Sequence, residues 1–295
     1  MINSATLRAN AEDQAARFPA LLARAEHLAG AVLLGAHGRR RAGVGDDFWQ
    51  YRPAQQGDSR RRIDHRRSAM GDQEFVRERE WQIAQSVMLW VDQGASMRFT
   101  SDPKLPEKAD RARLLALALA ILLIRGGERV GLTGLDLPPR RGNPQILRLA
   151  DLFCRDDTRD YSPPEHRAMI PHARAVFVSD FLGDIEEARL ALTKAADRGV
   201  RGVLLQVLDP SEEAFPFTGR TIFESIGGTL SHETLKAADL RARYLDRLAE
   251  RKAELRQLCA RTGWHYGLHH TDATAQSALL WLYGALDGRA GGVAA

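Results

Sequence analysis

The chain reads as an α/β protein on a doubly wound, mainly parallel sheet, preceded by an N-terminal helix and an extended arm. Three observations predict this. Short β-branched runs alternate with helical stretches of ten residues or more, the rhythm of βα units. The runs are almost continuously apolar, as strands buried on both faces require. Two of them end in aspartate, Asp92 and Asp180. Parallel strands share a direction, so both carboxylates fall at the carboxyl edge of the sheet, where ligands bind in open α/β folds.

Taken in order, residues 11–36 carry Phe18, Leu21, Leu22, Ala25, Leu28 and Leu33 at helical spacing, and Gly35 and Gly38 end the pattern. Residues 39–70 are rich in Arg, Gly, Asp and Gln and lack apolar periodicity, which predicts a loop-rich arm without its own core. Residues 74–91 read as strand, running through Phe75, Val76, Trp81 and Ile83 into Val87-Met88-Leu89-Trp90-Val91. A small-residue turn, Asp92-Gln93-Gly94-Ala95-Ser96, follows. Pro106 introduces a helix through Leu114 to Leu123 that Gly126-Gly127 closes. A second strand spans 129–135, a short helix 144–153, a third strand 174–181 and a helix 184–198 ended by Gly199. A fourth strand follows over 201–208, then a loop or small hairpin over 210–228. A long polar helix over 231–262 stops at Gly263, with a fifth strand over 264–269 and a last helix over 273–286. The domains expected are therefore 1–73 (helix and arm), 74–289 (the α/β domain) and a flexible tail, 290–295.

With 295 residues, 44% of them hydrophobic, the chain is long enough for one large α/β domain with appendages. Its formal charge of +4 is local in origin. Between Arg39 and Arg67 stand nine arginines against four aspartates. Such a patch suits nucleic acid, an acidic partner or a membrane surface. Two cysteines, Cys154 and Cys259, build neither a disulfide framework nor a zinc cluster, which suits a reducing compartment. The first residues lack a signal-peptide pattern, and the longest apolar run, 114–124, is well short of the ~20 residues that span a bilayer. A soluble cytoplasmic protein is expected.

Two carboxylates beside hydroxyls at one sheet edge are hard oxygen donors suited to Mg²⁺ or Mn²⁺. Asp92, Ser96 and Asp180 are the candidate ligands, with Ser179 as a further oxygen; solvated residues at strand ends are the plainer alternative. GxxxxGK[ST], GxGxxG after a strand and GxSxG are all absent, and no nucleophile–base pair is evident, so an enzyme is not expected. His265, His269 and His270 cluster on the last strand, where adjacent side chains point apart, and are read as structural.

The turn Asp92-Gln93-Gly94-Ala95-Ser96 and the later Ser179-Asp180-Phe181 resemble the metal-ion-dependent adhesion site of von Willebrand factor A-like domains, a Rossmann-type fold. More specific is YRPAQQGDSRRRIDHRRSA at 51–69, followed by Val76-Arg77-Glu78. In it, Arg52, Gly57, Asp58, Arg62, Ile63, Asp64, Ser68 and Ala69 fit the hallmark of a bacterial family catalogued as domain of unknown function fifty-eight. The resemblance extends over nearly the whole chain. Three departures stand out. His65 replaces a tryptophan, Gly94 replaces the first serine of the adhesion motif, and the motif's threonine has no match, Asn143 offering only an amide oxygen nearby. A site keeping Asp92, Ser96 and Asp180 then holds Mg²⁺ or Mn²⁺ weakly or not at all.

The resemblance implies a non-enzymatic, chaperone-like accessory protein acting with a MoxR-type AAA+ ATPase and other von Willebrand factor A-like proteins. The partner would dock at the carboxyl edge, its acidic side chain completing the shell of a cation at Asp92, Ser96 and Asp180, or by plain surface recognition. Arg52, Asp58, Arg62, Asp64 and His65 would then bind a partner or anchor the arm by arginine–carboxylate pairing. Nucleic-acid binding through Arg39 to Arg67, with Phe48, Trp49 and Tyr51 stacking on bases, is the alternative, and the acids interleaved with the arginines argue against it. A hydrolase using Asp92 and Asp180 is the least favoured reading.

Overall fold

The computed structural model describes residues 19–32, 48–55, 63–71, 73–79, 85–155, 157, 159–219, 221–224, 231–234 and 237–286. The chain divides into two compact units: Ala36–Ala84, and Met1–Gly35 together with Gln85–Ala295.

In the smaller unit, β1 (Phe48–Pro53) pairs antiparallel with β2 (Phe75–Arg79), from Phe48 opposite Arg79 to Pro53 opposite Phe75. The first part of the strand pattern expected to run from residue 74 into the Trp90 strand is β2, which pairs with β1; residues 80–84 lie outside the described residues. The segment 64–68 is not extended. Asp64 caps a single helical turn, α2 (His65–Ser68), its Oδ1 accepting from the Arg67 amide at 3.0 Å. The Ser68 hydroxyl accepts from the Phe75 amide at 2.9 Å and ties the turn to β2.

In the larger unit, the first helix, α1, is described over 19–32. Then follow β3 (Ser86–Val91), a 3-10 turn (Ala95–Arg98), α3 (Lys108–Arg125), β4 (Arg129–Leu132), α4 (Asn143–Phe153), β5 (Arg174–Ser179), α5 (Ile185–Asp197) and β6 (Arg201–Leu208). A short α6 (Pro210–Ala214) and a two-stranded β7 (Thr221–Glu224) and β8 (Ser231–Thr234) precede α7 (Ala237–Thr262), β9 (His265–His270) and α8 (Ala275–Leu286). The long helix expected from residue 231 therefore starts later, because Ser231–Thr234 pairs with β7.

β4, β3, β5, β6 and β9 form, in that order, a wholly parallel five-stranded sheet. Period-2 alternation sends Val87, Leu89 and Val91 of β3 into one core, with Val176, Val178, Val203 and Leu205. Met88 and Trp90 enter the other, with Phe177, Leu204 and Trp264. The first core is covered by α1, α3, α4 and α8, the second by α5 and α7.

The run LLALALAILL at 114–123 has no polar face, and α3 accordingly is buried on all sides within the first core. Among the described residues no helix is long and apolar enough to cross a membrane. From β3 the chain moves through α3 to β4 on one side, then returns past β3 to β5 on the other. Strand order therefore reverses between β3 and β5, and the crevice that this opens lies at their carboxyl ends.

Candidate functional site

Asp92 and Asp180 follow directly on β3 and β5, so the switch point brings them together. Asp92 is 2 % exposed and Asp180 0 %. The Asp92 amide donates to Val178 O at 2.9 Å, which extends the β3–β5 ladder up to the carboxylate. Asp92 Oδ1 accepts from the Gly94 amide at 2.7 Å, and Oδ2 accepts from the Ser179 hydroxyl at 2.6 Å. The Ser162 amide is a further donor to the carboxyl group. Burial, reinforced by the Asp180 charge, outweighs these donors and pushes the Asp92 carboxyl up to about 6.

Ser179 is therefore a donor within the site rather than a free oxygen ligand. Its Oγ also accepts from the Phe181 amide at 2.9 Å. Phe181 adopts φ 51°, a left-handed conformation that costs a non-glycine residue about 1–2 kcal/mol. Its ring is buried 6.1 Å from that of Trp90, a contact glycine at this place cannot make.

The cation at Asp180 belongs to the protein. Lys108, in the first turn of α3 and 1 % exposed, donates to Asp180 Oδ2 at 2.8 Å and to Glu212 Oε1 at 2.6 Å. Its ammonium also lies 5.6 Å from the centroid of the Phe99 ring. A lysine at a helix N-terminus opposes the helix dipole, and here two carboxylates offset that cost. They hold Lys108 above the usual lysine range despite its burial. Burial raises the Glu212 carboxyl, Lys108 and Asp180 acting on it in opposite directions.

Glu212 reaches the cluster through the capping box of α6, which starts directly after β6. Asp209 Oδ1 accepts from the Ser211 amide at 2.8 Å, while Glu212 Oε2 accepts from the Asp209 amide at 2.8 Å. Asp209 Oδ2 accepts from the Ser101 amide at 2.9 Å and ties the loop after β3 to the end of β6. Gln206 Nε2 donates to the Asp180 carbonyl at 2.7 Å.

Of the proposed ligands, Asp92 and Asp180 come together. Ser96 Oγ is buried without a hydrogen-bond partner, and Asn143 is exposed at the start of α4, beyond the edge strand β4. In the arm, Asp64 is a helix cap and His65 is exposed. Arg52 lies on β1, and Asp58 and Arg62 lie outside the described residues. Sequence reasoning missed Lys108 and Glu212. The signals were there: a lysine in a first helical turn, and Asp209-Pro210-Ser211-Glu212, a capping box with proline at its first helical position.

Beside Asp92 and Ser179 opens a cleft of about 290 Å³. Trp90, Tyr161, Pro163, Pro164 and Phe181 line it, with Asp184, Glu187 and Arg251 among its polar groups. Arg251 Nη1 is engaged by the carbonyls of Phe181 and Gly183 at 2.8 and 2.6 Å. Asp184 caps α5 by accepting from the Glu186 amide at 3.0 Å.

The donors do not fit Mg²⁺ or Mn²⁺ as they stand. Asp180 Oδ2 is taken by an ammonium, and its Oδ1 accepts from the Leu182 amide at 3.1 Å. Both oxygens of Asp92 accept from the protein. Among the described residues, no group of three or more His, Cys, Asp or Glu side chains is arranged to hold a metal ion.

Fold and site together define a parallel α/β protein with a buried carboxylate–lysine cluster at its switch point. The chain belongs to the family described as Protein of unknown function DUF58, which it matches over residues 50–254. No curated protein matches it. It is similar at 14% identity to the conserved hypothetical protein BatB from Bacteroides thetaiotaomicron, covering 70% of this chain and 100% of that one at a TM-score of 0.37. An aerotolerance-related membrane protein from Bacteroides fragilis NCTC 9343, with multiple mutations to serines, is similar at the same identity and coverages with a TM-score of 0.35.

Proposed function

We propose that this is a non-enzymatic, chaperone-like accessory protein of the von Willebrand factor A-like kind, cytoplasmic, and partnered with a MoxR-type AAA+ ATPase. Docking is through the carboxyl edge of the sheet. The observation that carries the reading is the cleft at the switch point, open beside a buried carboxyl and walled by aromatic and proline side chains. Ligands of α/β sheets bind at this place. The Ser179 hydroxyl is tied between the Asp92 carboxylate and the Phe181 amide and is buried.

Recognition is by direct surface contact. Asp92, Asp184 and Glu187 give the cleft an acidic lining, and Arg251 is held by backbone carbonyls, so the cleft suits a basic side chain of the partner. Co-purification with the cognate ATPase, in its nucleotide-free, ADP and ATP-analogue states, tests the reading. Binding is expected in at least one state, weakened about tenfold or more by Glu187→Arg at the exposed rim. Lack of binding in all three states sinks the partner assignment, and full binding by Glu187→Arg removes the cleft from it.

A further inference from the structure

We propose that the Lys108 ammonium is a built-in replacement for the divalent cation of an adhesion-type site, so that the carboxyl edge of this sheet works without metal. This is a statement about the carboxylate cluster itself and does not rest on the identity of the partner.

Two independent features of the structure lead there, the internal ammonium and the closed turn, and the order of the charges around the ammonium extends the first. Lys108 Nζ stands 2.8 Å from Asp180 and 2.6 Å from Glu212, with all three side chains largely or wholly withdrawn from water. A Mg²⁺ ion on the same oxygens needs about 2.1 Å and an octahedral shell that usually keeps several waters. An ammonium and a metal cannot share that face of Asp180.

The turn that would supply hydroxyl ligands is closed from above. The Ala95 and Ser96 amides donate to the carbonyls of Arg159 and Asp160 at 2.8 and 2.9 Å. A Cβ at Gly94 would stand 2.8 Å from the Asp160 carbonyl oxygen, 3.0 Å from Asp92 Oδ1 and 3.0 Å from the Ser162 nitrogen. The serine that the motif carries at this place therefore has no room. Glycine here is a steric requirement of the segment 159–162 lying over the turn.

Lastly, the charges are ordered around one fixed cation. Asp180, at the end of β5, and Glu212, in α6, converge on Lys108, and the Phe99 ring covers another side of the ammonium. The hydrogen-bond donors to Asp92 are neutral groups: the Gly94 and Ser162 amides and the Ser179 hydroxyl. A covalently attached cation costs no binding entropy, is always present, and cannot be removed by chelation.

The test uses the full chain and Mn²⁺ as probe, followed by electron paramagnetic resonance and by thermal melting. The wild-type chain is expected to leave the free-ion Mn²⁺ spectrum and its melting temperature unchanged, with or without chelator. Lys108→Ala removes the internal cation. It is expected to melt lower than wild type, to regain part of the loss on adding Mn²⁺, and to bind the ion at least about tenfold more tightly than wild type. Asp180→Asn added to Lys108→Ala is expected to abolish that binding.

Wild-type Mn²⁺ binding that disappears in Asp180→Asn overturns the proposal, as does a folded Lys108→Ala chain that takes up no Mn²⁺. If Lys108→Ala folds neither with nor without Mn²⁺, Lys108→Met, which keeps the apolar stem without the charge, takes its place in the same assay: Mn²⁺ uptake tighter than wild type upholds the proposal, and no uptake or a failure to be rescued by Mn²⁺ ends it.

Discussion

Replacing Asp92 by asparagine tests the electrostatics of the site most directly. The carboxyl is 2 % exposed and is pushed up from an ordinary 3.8 to about 6, first by burial and then by the Asp180 charge. At about 1.4 kcal/mol per pH unit, an ionised Asp92 near neutral pH costs the folded state about 3 kcal/mol relative to the unfolded chain. The folded-state value lies above the unfolded one. The cost is therefore absent below about pH 4, grows as the pH rises toward about 6, and is complete above that. The substituted side chain would keep an oxygen to accept from the Gly94 amide and would lose the titration. The quantity to measure is the stability of Asp92→Asn minus that of wild type, from urea denaturation at each pH. It should rise by about 3 kcal/mol between about pH 4 and about pH 7. Taking the difference cancels groups that titrate in the same window without interacting with Asp92. A difference that stays flat, or that falls as pH rises, refutes the reasoning: a cation would then be facing Asp92 in solution.

Substitutions elsewhere test the packing. His269 is pushed down to about 4, by burial first and by Arg111 and His270 next, so its contribution is fully present above about pH 6.5 and is lost as the pH falls toward about 4. His269→Gln should therefore flatten the acid limb of the stability profile by about 3 kcal/mol, and an unchanged limb would show that His269 titrates normally. Gly202→Ala should destabilise by about 3 kcal/mol or more, because the new Cβ would stand 2.0 Å from the Ala175 carbonyl oxygen inside the β5–β6 ladder. Gly30→Ala, where a Cβ meets nothing within 4 Å in a helix, should instead stabilise by up to about 1 kcal/mol in the same denaturation assay.

What the residues alone determined is local and periodic. The β-branched runs at 87–91, 174–179 and 201–208 announce buried parallel strands, because a side-chain period of two with apolar residues at most positions of both faces leaves no wet face. The apolar run at 114–123 announces a helix buried on all sides. Asp92 and Asp180 reach one edge by direction alone. The hallmark at 51–69 likewise lies within the matched family segment.

Tertiary structure decided what those carboxylates do. Lys108 lies 72 residues from Asp180 and 104 from Glu212, and their meeting depends on where α3 and α6 begin relative to the sheet edge. No periodicity records that. Gly94 reads in sequence as a missing ligand, yet only the segment 159–162 lying over it shows that a side chain there has no space. Strand pairing across the arm was settled the same way: Phe75–Arg79 has the composition of a strand, but its partner is a matter of long-range closure, and β1 takes it. Sequence places charged groups on elements. Burial and the distance between elements decide whether such a group faces water, a metal or the lysine that stands there.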